Sequence, residues 1–306
     1  MKSETSDPLP ITEQANPRSA NLSALSVPEI LGLMNQEDAQ VAGAVSEVLP
    51  QVAYAVAGIV KRLKGEGRLF YIGTGTSGRL GVLDSSECPP TFGVSPELVQ
   101  GVIAGGYEAT YSAVEASEDD ADAAKRDLTA RGFGAKDALV GIAASGRTPY
   151  TVGAVSYGRE LGAFTVAITC APDSPITKVA EVSIVPVVGP EVLTGSTRLK
   201  AGTAQKMVLN MISTATLVKL GYVSGNRMSN MRARNTKLRD RAIRILVTET
   251  GVTAEDATAA LDAADGDTNV ALVMTRAKCG AESAKDALAN SRGIVDEAIK
   301  RIAKRN

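Results

Sequence analysis

Five short apolar runs, rich in β-branched residues, recur after residue 67: RLFYIG (68–73), LVQGVIAG (98–105), ALVGIAA (138–144), FTVAITC (164–170) and EVSIVPVV (181–188). None alternates apolar with polar as a strand wetted on one face does, so each suits a strand buried on both faces. Stretches of helical character, such as 119–131 and 149–161, lie between them. Strand, helix, strand repetition predicts an α/β domain whose doubly wound, mostly parallel sheet is sandwiched by helices.

The flanks read differently. Residues 1–25 are rich in Ser, Thr, Pro and Asn without periodicity, and read as an extended arm that either stays loose or clasps a partner. Ser26, with Pro28 and Glu29 in the following turn, is an N-cap signal for a helix. Apolar residues from Val41 to Val60 keep helical spacing over 38–64, where Pro50 is expected to split the segment in two. After Asn235 the sheet pattern stops, and Ala-rich helices are expected over 236–250, 254–264, 267–277, 281–289 and 292–304, with caps at Thr253 and Asp267. The expected organisation is an arm and helix at 1–39, an α/β domain at 40–235 and a small helical bundle at 236–306.

Composition removes several chemistries. The chain has 306 residues and no histidine, which excludes Ser-His-Asp or Cys-His nucleophilic centres and every imidazole base or ligand. Proton transfer falls to carboxylates, Lys, Tyr or Cys. Lys and Arg number 33 against 34 Asp and Glu, so no basic excess points to nucleic acid. Cys88, Cys170 and Cys279 lie far apart without a C-x-x-C pair, which argues against a disulfide framework or a thiolate metal site. With no apolar leader or span of about 20 residues, a cytoplasmic protein without membrane contact is expected.

Two strand ends carry related loops, GTGTSGR (73–79) and AASGRTP (143–149), both containing Ser-Gly-Arg. Each puts small residues and hydroxyls at the carboxyl end of a buried strand, where amides, hydroxyls and a helix dipole can converge on an anion. Gly73, Gly75 and Gly78 match the G-x-G-x-x-G spacing, but the hydroxyls of Thr74, Thr76 and Ser77, and no acidic end to the second strand, fit a sugar phosphate better than a dinucleotide. A third segment, GPEVLTGSTRLKAGTAQK (189–206), gathers Glu191, Ser196, Thr197, Arg198, Lys200, Thr203 and Lys206 ahead of an apolar helix and is a candidate third wall.

These loops resemble those of sugar isomerase (SIS) domains. The run GTGTSGRLGVLDSSECPPTFG (73–93) is similar to the N-acetylmuramic acid 6-phosphate etherase family, and 189–206 resembles the signature that family shares with the glucokinase regulatory protein. The resemblance extends from TEQANPRS near the N-terminus to the C-terminal bundle, which it implies to be UBA-like. It implies a cytoplasmic, homodimeric lyase that needs no metal or cofactor. That lyase removes D-lactate from the 3-position of N-acetylmuramic acid 6-phosphate and leaves N-acetylglucosamine 6-phosphate, a step of cell-wall sugar recycling.

Carried over by position, Glu87 in SSECPP and Glu118 in VEASEDD are the two acids that carry the chemistry. Which is acid and which is base is left open by the sequence; the expectation is Glu87 as proton donor to lactate and later activator of water, with Glu118 as the base at carbon 2. Two carboxylates are what such an elimination needs in a chain without histidine. Glu115 is the nearest neighbour that could be confused with Glu118. The implied phosphate ligands are Ser77, Ser145 and Thr148, with Gly78 and Gly146 in the same loops. Ser196 and Thr197 are further candidates for binding substrate or phosphate, and Arg198 and Lys200 are anion candidates for phosphate or the lactyl carboxylate. Pro89 and Pro90 are expected to fix a rigid turn beside Glu87, and Cys88 is expected to be a packed thiol. Two other readings share the phosphate loops: a non-enzymatic sugar-phosphate sensor, and an aldose-ketose isomerase.

Overall fold

The computed structural model describes residues 9–112, 114, 118–223 and 235–304. The chain divides into two units, one formed by Met1–Ser86 with Glu97–Ser213, the other by Glu87–Pro96 with Thr214–Asn306.

In the first unit the arm makes three 3-10 turns, Ile11–Glu13, Pro17–Ser19 and Leu22–Ala24. Helix α1 (Val27–Asp38) starts where expected, with the Glu29 carboxylate accepting from the Ser26 amide at 2.7 Å. The segment 38–64 splits into α2 (Val41–Ser46) and α3 (Leu49–Lys64). Pro50 falls in the first turn of α3, where its missing N–H costs nothing, so it opens the second helix.

The five apolar runs form strands β1 (Leu69–Gly73), β2 (Val99–Ile103), β3 (Ala138–Ile142), β4 (Phe164–Ile168) and β5 (Val182–Ile184). They pair in parallel in the order β2-β1-β3-β4-β5, with Leu69 beside Val99 on one side and Ala138 on the other. Strand β5 is shorter than its apolar run. It is an edge strand, and Pro186 cannot donate to a ladder.

Between the strands run α4 (Gly75–Phe92), α5 (Ala121–Ala130), α6 (Pro149–Glu160) and α7 (Pro175–Val179), followed by α8 (Lys200–Lys219). Alternate strand residues serve opposite faces. Phe70, Ile72, Val102 and Leu139 pack with Ala124 and Leu128 of α5 and Tyr150 and Ala154 of α6. On the other face α3 covers β3, β4 and β5, and α4 lies so close that a Cβ on Gly81 would stand 2.9 Å from the Tyr71 Cβ. The sheet is thus covered on both sides, which is why its strands read as unbroken apolar runs.

One local expectation is corrected. Cys88, Pro89 and Pro90 do not make a turn; α4 runs through them and ends at Phe92, where Gly93 takes φ +63°. Cys88 is buried there.

The second unit contains α9 (Thr236–Thr250), α10 (Ala254–Ala263), α11 (Thr268–Ala277), α12 (Ala281–Ala289) and α13 (Val295–Ala303). Its core joins Leu246, Leu261, Leu272, Leu288 and Ile302, with many alanines allowing close approach of the helices. Thr253 accepts from the Asp256 amide, and Asp267 from the amides of Asn269 and Val270, so both expected caps form. Among the described residues no single helix is long and apolar enough to cross a membrane.

Candidate active site

Strand order decides where a ligand can sit. The chain leaves β1 for β2 on one side, then returns to β3 on the other, so the connections diverge between β1 and β3. A crevice opens at the carboxyl ends of the strands at such a reversal. A cavity of about 340 Å³ lies there, lined by Thr74 to Ser77 and Arg79 beyond β1, Ala104 beyond β2, and Ala143, Ala144, Ser145 and Thr148 beyond β3, with Glu118, Thr197 and Glu13 completing its wall.

The two Ser-Gly-Arg copies do different work. Ser77 and Gly78 lie in the first turn of α4, where the leading amides have no partner within the helix. Gly78 packs this turn on the strand: a Cβ there would stand 2.6 Å from the Gly73 carbonyl oxygen. Ser77 is buried, and its hydroxyl donates to Gln205 Oε1 at 2.9 Å. Gln205 is wholly buried, and its Nε2 has no hydrogen-bond partner among the described residues.

The second copy precedes its helix. Gly146 adopts φ +64°, and a Cβ there would stand 2.1 Å from the Ser174 Oγ. Thr148 is the N-cap of α6 but makes no side-chain cap bond, so its hydroxyl remains available to the cavity it lines. Both strain and a steric clash oppose a side chain at Gly146. Gly146→Ala is expected to lose about 1–3 kcal/mol of stability, measured by denaturant unfolding; an unchanged midpoint would show that the loop yields.

Glu118 reaches the cavity from the segment before α5. The position of a Cβ on Gly75 would lie 3.4 Å from Glu118 Oε1, so the bare glycine at the start of α4 leaves the carboxylate its place. The Tyr150 amide donates to the Glu118 carbonyl at 3.0 Å and ties the segment to α6. Arg79 adds a second tie, with Nε on the Thr110 carbonyl at 3.2 Å and a terminal nitrogen on that of Ser112 at 2.7 Å. Its guanidinium thereby anchors the chain at Thr110 and Ser112 to α4.

The third segment is only partly a wall. Thr197 lines the cavity, whereas Ser196 is half-buried and Arg198 exposed, neither being part of the lining. Lys200 departs from the expected ligand set. Its ammonium is 2.6 Å from Glu37 Oε2, and the two side chains are 2% and 4% exposed. Burial raises the cost of a charge on Glu37, but the hydrogen bond and charge of Lys200, the Asn16 amide and Arg18 outweigh it and hold the carboxyl below its ordinary range. Glu191 is structural as well: its carboxylate accepts from the amides of Lys200 and Ala201 at 3.0 and 2.9 Å and caps α8, while burial pushes its carboxyl up.

The cavity therefore gathers Ser77, Ser145, Thr148, Thr197 and Glu118. Glu87 is exposed on α4 and belongs to the second unit. Glu115 lies outside the described residues. No cluster of three or more Cys, Asp or Glu side chains suited to a metal occurs among the described residues. Glu13 lines the cavity unforeseen, because nothing in the spacing of an aperiodic arm says where it docks.

Comparison with known proteins bears on the fold and the family. The glucokinase regulatory protein N-terminal SIS domain matches residues 51–159. A phosphoheptose isomerase from Francisella tularensis shares the fold at a TM-score of 0.50 and 17% identity, over 63% of this chain and 98% of that one. The N-acetylmuramic acid 6-phosphate etherase of Clostridium beijerinckii is 50% identical over 95% of this chain and 96% of its own length. That of Pectobacterium atrosepticum is 51% identical over 94% and 95%. The chain belongs to the N-acetylmuramic acid 6-phosphate etherase family of carbon-oxygen lyases.

Proposed function

We propose that the protein cleaves the lactyl ether of N-acetylmuramic acid 6-phosphate to N-acetylglucosamine 6-phosphate and D-lactate, by elimination followed by addition of water. The observation that carries this reading is the cavity, in which the hydroxyls of Ser77, Ser145 and Thr148 and the first turn of α4 stand beside the Glu118 carboxylate. Hydroxyls and a helix N-terminus suit a phosphate; a carboxylate suits the carbon acid.

In the proposed course Glu118 takes the proton from carbon 2 of the open-chain sugar. The electron pair forms the C2–C3 double bond as the C3–O bond breaks, and Glu87 gives its proton to the lactate oxygen. Water then adds at carbon 3, losing a proton to Glu87, and Glu118 returns its proton to carbon 2. Ser77 turns its hydroxyl proton to a phosphate oxygen, and inversion of the Gln205 amide lets Nε2 donate to Ser77 Oγ, giving it the partner it lacks. Arg198 and Ser196 are proposed to meet the substrate's anionic groups from the same segment as Thr197. The working form is proposed to be a cytoplasmic homodimer acting in amino-sugar catabolism and cell-wall recycling, without metal or cofactor.

The test is D-lactate release from N-acetylmuramic acid 6-phosphate by purified protein in EDTA, beside Glu87→Gln. The wild type is expected to release lactate, and the variant to lose at least about 100-fold in rate. Binding without release would favour a sensor, and conversion of fructose 6-phosphate to glucose 6-phosphate would favour an isomerase.

A further inference from the structure

An aperiodic polar arm has little apolar surface with which to hold itself to a domain, yet Thr12, Asn16 and Ser19 are buried. Asn16 explains how the arm stays. Its amide nitrogen donates to Glu37 Oε2 at 2.9 Å and to the Pro190 carbonyl at 3.1 Å, while its oxygen accepts from the Arg18 amide at 2.9 Å. Arg18 closes the clasp on Glu37 Oε1 at 2.7 Å. The buried Lys200 ammonium balances the same carboxylate.

Glu13 lies between the buried Thr12 and Asn16, and so is delivered to one place on the cavity wall. Its carboxylate has no ion-pair or hydrogen-bond partner among the described residues, in contrast to Glu37 and Glu191, which are fully engaged. The opposing loop makes room for it. Gly195 has φ +75°, and a Cβ there would stand 3.2 Å from Glu13 Oε2.

We propose that Glu13 is a sugar-recognition residue, whose carboxylate accepts hydrogen bonds from the hydroxyl or amide N–H groups of the substrate while the Ser77, Ser145 and Thr148 side holds the phosphate. The proposal rests on the sugar-phosphate reading of the cavity. An ionised carboxylate only accepts, so it cannot bind a phosphate dianion and repels one nearby. What it can bind is the neutral, donor-bearing part of the same molecule. Glu13 thereby separates a sugar phosphate from bare phosphate, which a cradle of hydroxyls alone does not.

Calorimetric titration of the full chain with N-acetylglucosamine 6-phosphate and with inorganic phosphate tests this. Glu13→Ala is expected to weaken the sugar phosphate about 10- to 100-fold, the effect of losing hydrogen bonds to a charged acceptor. Inorganic phosphate should hold or tighten, because a negative charge leaves the wall, and Tm should not move. Glu13→Gln, which keeps one acceptor, should fall between. Equal weakening of both ligands, or undiminished sugar-phosphate affinity in a wild-type-like fold, overturns the assignment of Glu13 alone. A wild type that binds neither ligand sinks the sugar-phosphate reading and this proposal with it.

Discussion

Replacing Glu118 by Gln is expected to lower lactate release by about 10²- to 10⁴-fold, the usual worth of a positioned base, with KM little changed. The amide keeps the volume beside Gly75 and the cavity keeps its hydroxyls, so binding should survive the loss of chemistry. Isotope exchange separates the two proposed carboxylate roles. In heavy water the wild type should place deuterium at carbon 2 of the product, since the proton taken there exchanges before it returns. Glu118→Gln should abolish that exchange. Glu87→Gln should still exchange carbon 2 of the recovered substrate while releasing almost no lactate. Deuterium entering carbon 2 at the wild-type rate in Glu118→Gln would move the base to another residue.

The second large effect is on stability. Lys200→Met is expected to cost about 3 kcal/mol, toward the low end for one member of a buried pair, because Arg18 and Asn16 still face Glu37. For a domain of this size that is a fall of about 6 to 12 °C in Tm. Replacing both partners, as Glu37→Leu with Lys200→Met, should recover part of the loss, since no charge is then left alone in the interior. Were Lys200 a phosphate ligand, the single variant would instead keep its Tm and raise KM. The pH dependence has a definite sign. The Glu37 carboxyl is held below its ordinary value in the fold, so its contribution is complete above its unfolded value, about 4.3, and is lost as pH falls through the lower folded value. Acid should therefore cost the wild type stability that the double variant does not lose.

The strands were legible because burial on both faces leaves an unbroken apolar run, and each run from 68 onward contains its strand. The bundle was legible from caps, as at Thr253 and Asp267, whose short polar side chains meet orphan amides. What the chain order hides is tertiary. Ser77 and Ser145 carry the same tripeptide, but one sits within a helix and the other before it, and only the fold distinguishes packing at Gly78 from the left-handed turn at Gly146. Pro89 and Pro90 suggest a turn, yet they fall near the end of α4, where the earlier turns of the helix are already made. A lysine among hydroxyls looks like an anion ligand until its partner, Glu37, is known, and that partner lies 163 residues away.

The cavity wall draws on separate stretches of chain from Glu13 to Thr197, and β1 and β3, which flank it, are neighbours only through pairing. No fragment of the chain holds a rudimentary version of it. On the proposed reading, a sugar phosphate bound there would act as a clamp across the first unit: at a hundred times Kd it would add about 2.7 kcal/mol to the stability of every segment it joins. Through Glu13 the 3-10 turn Ile11–Glu13 would share in that clamp, so the supply of substrate would set how firmly this turn is held to the domain.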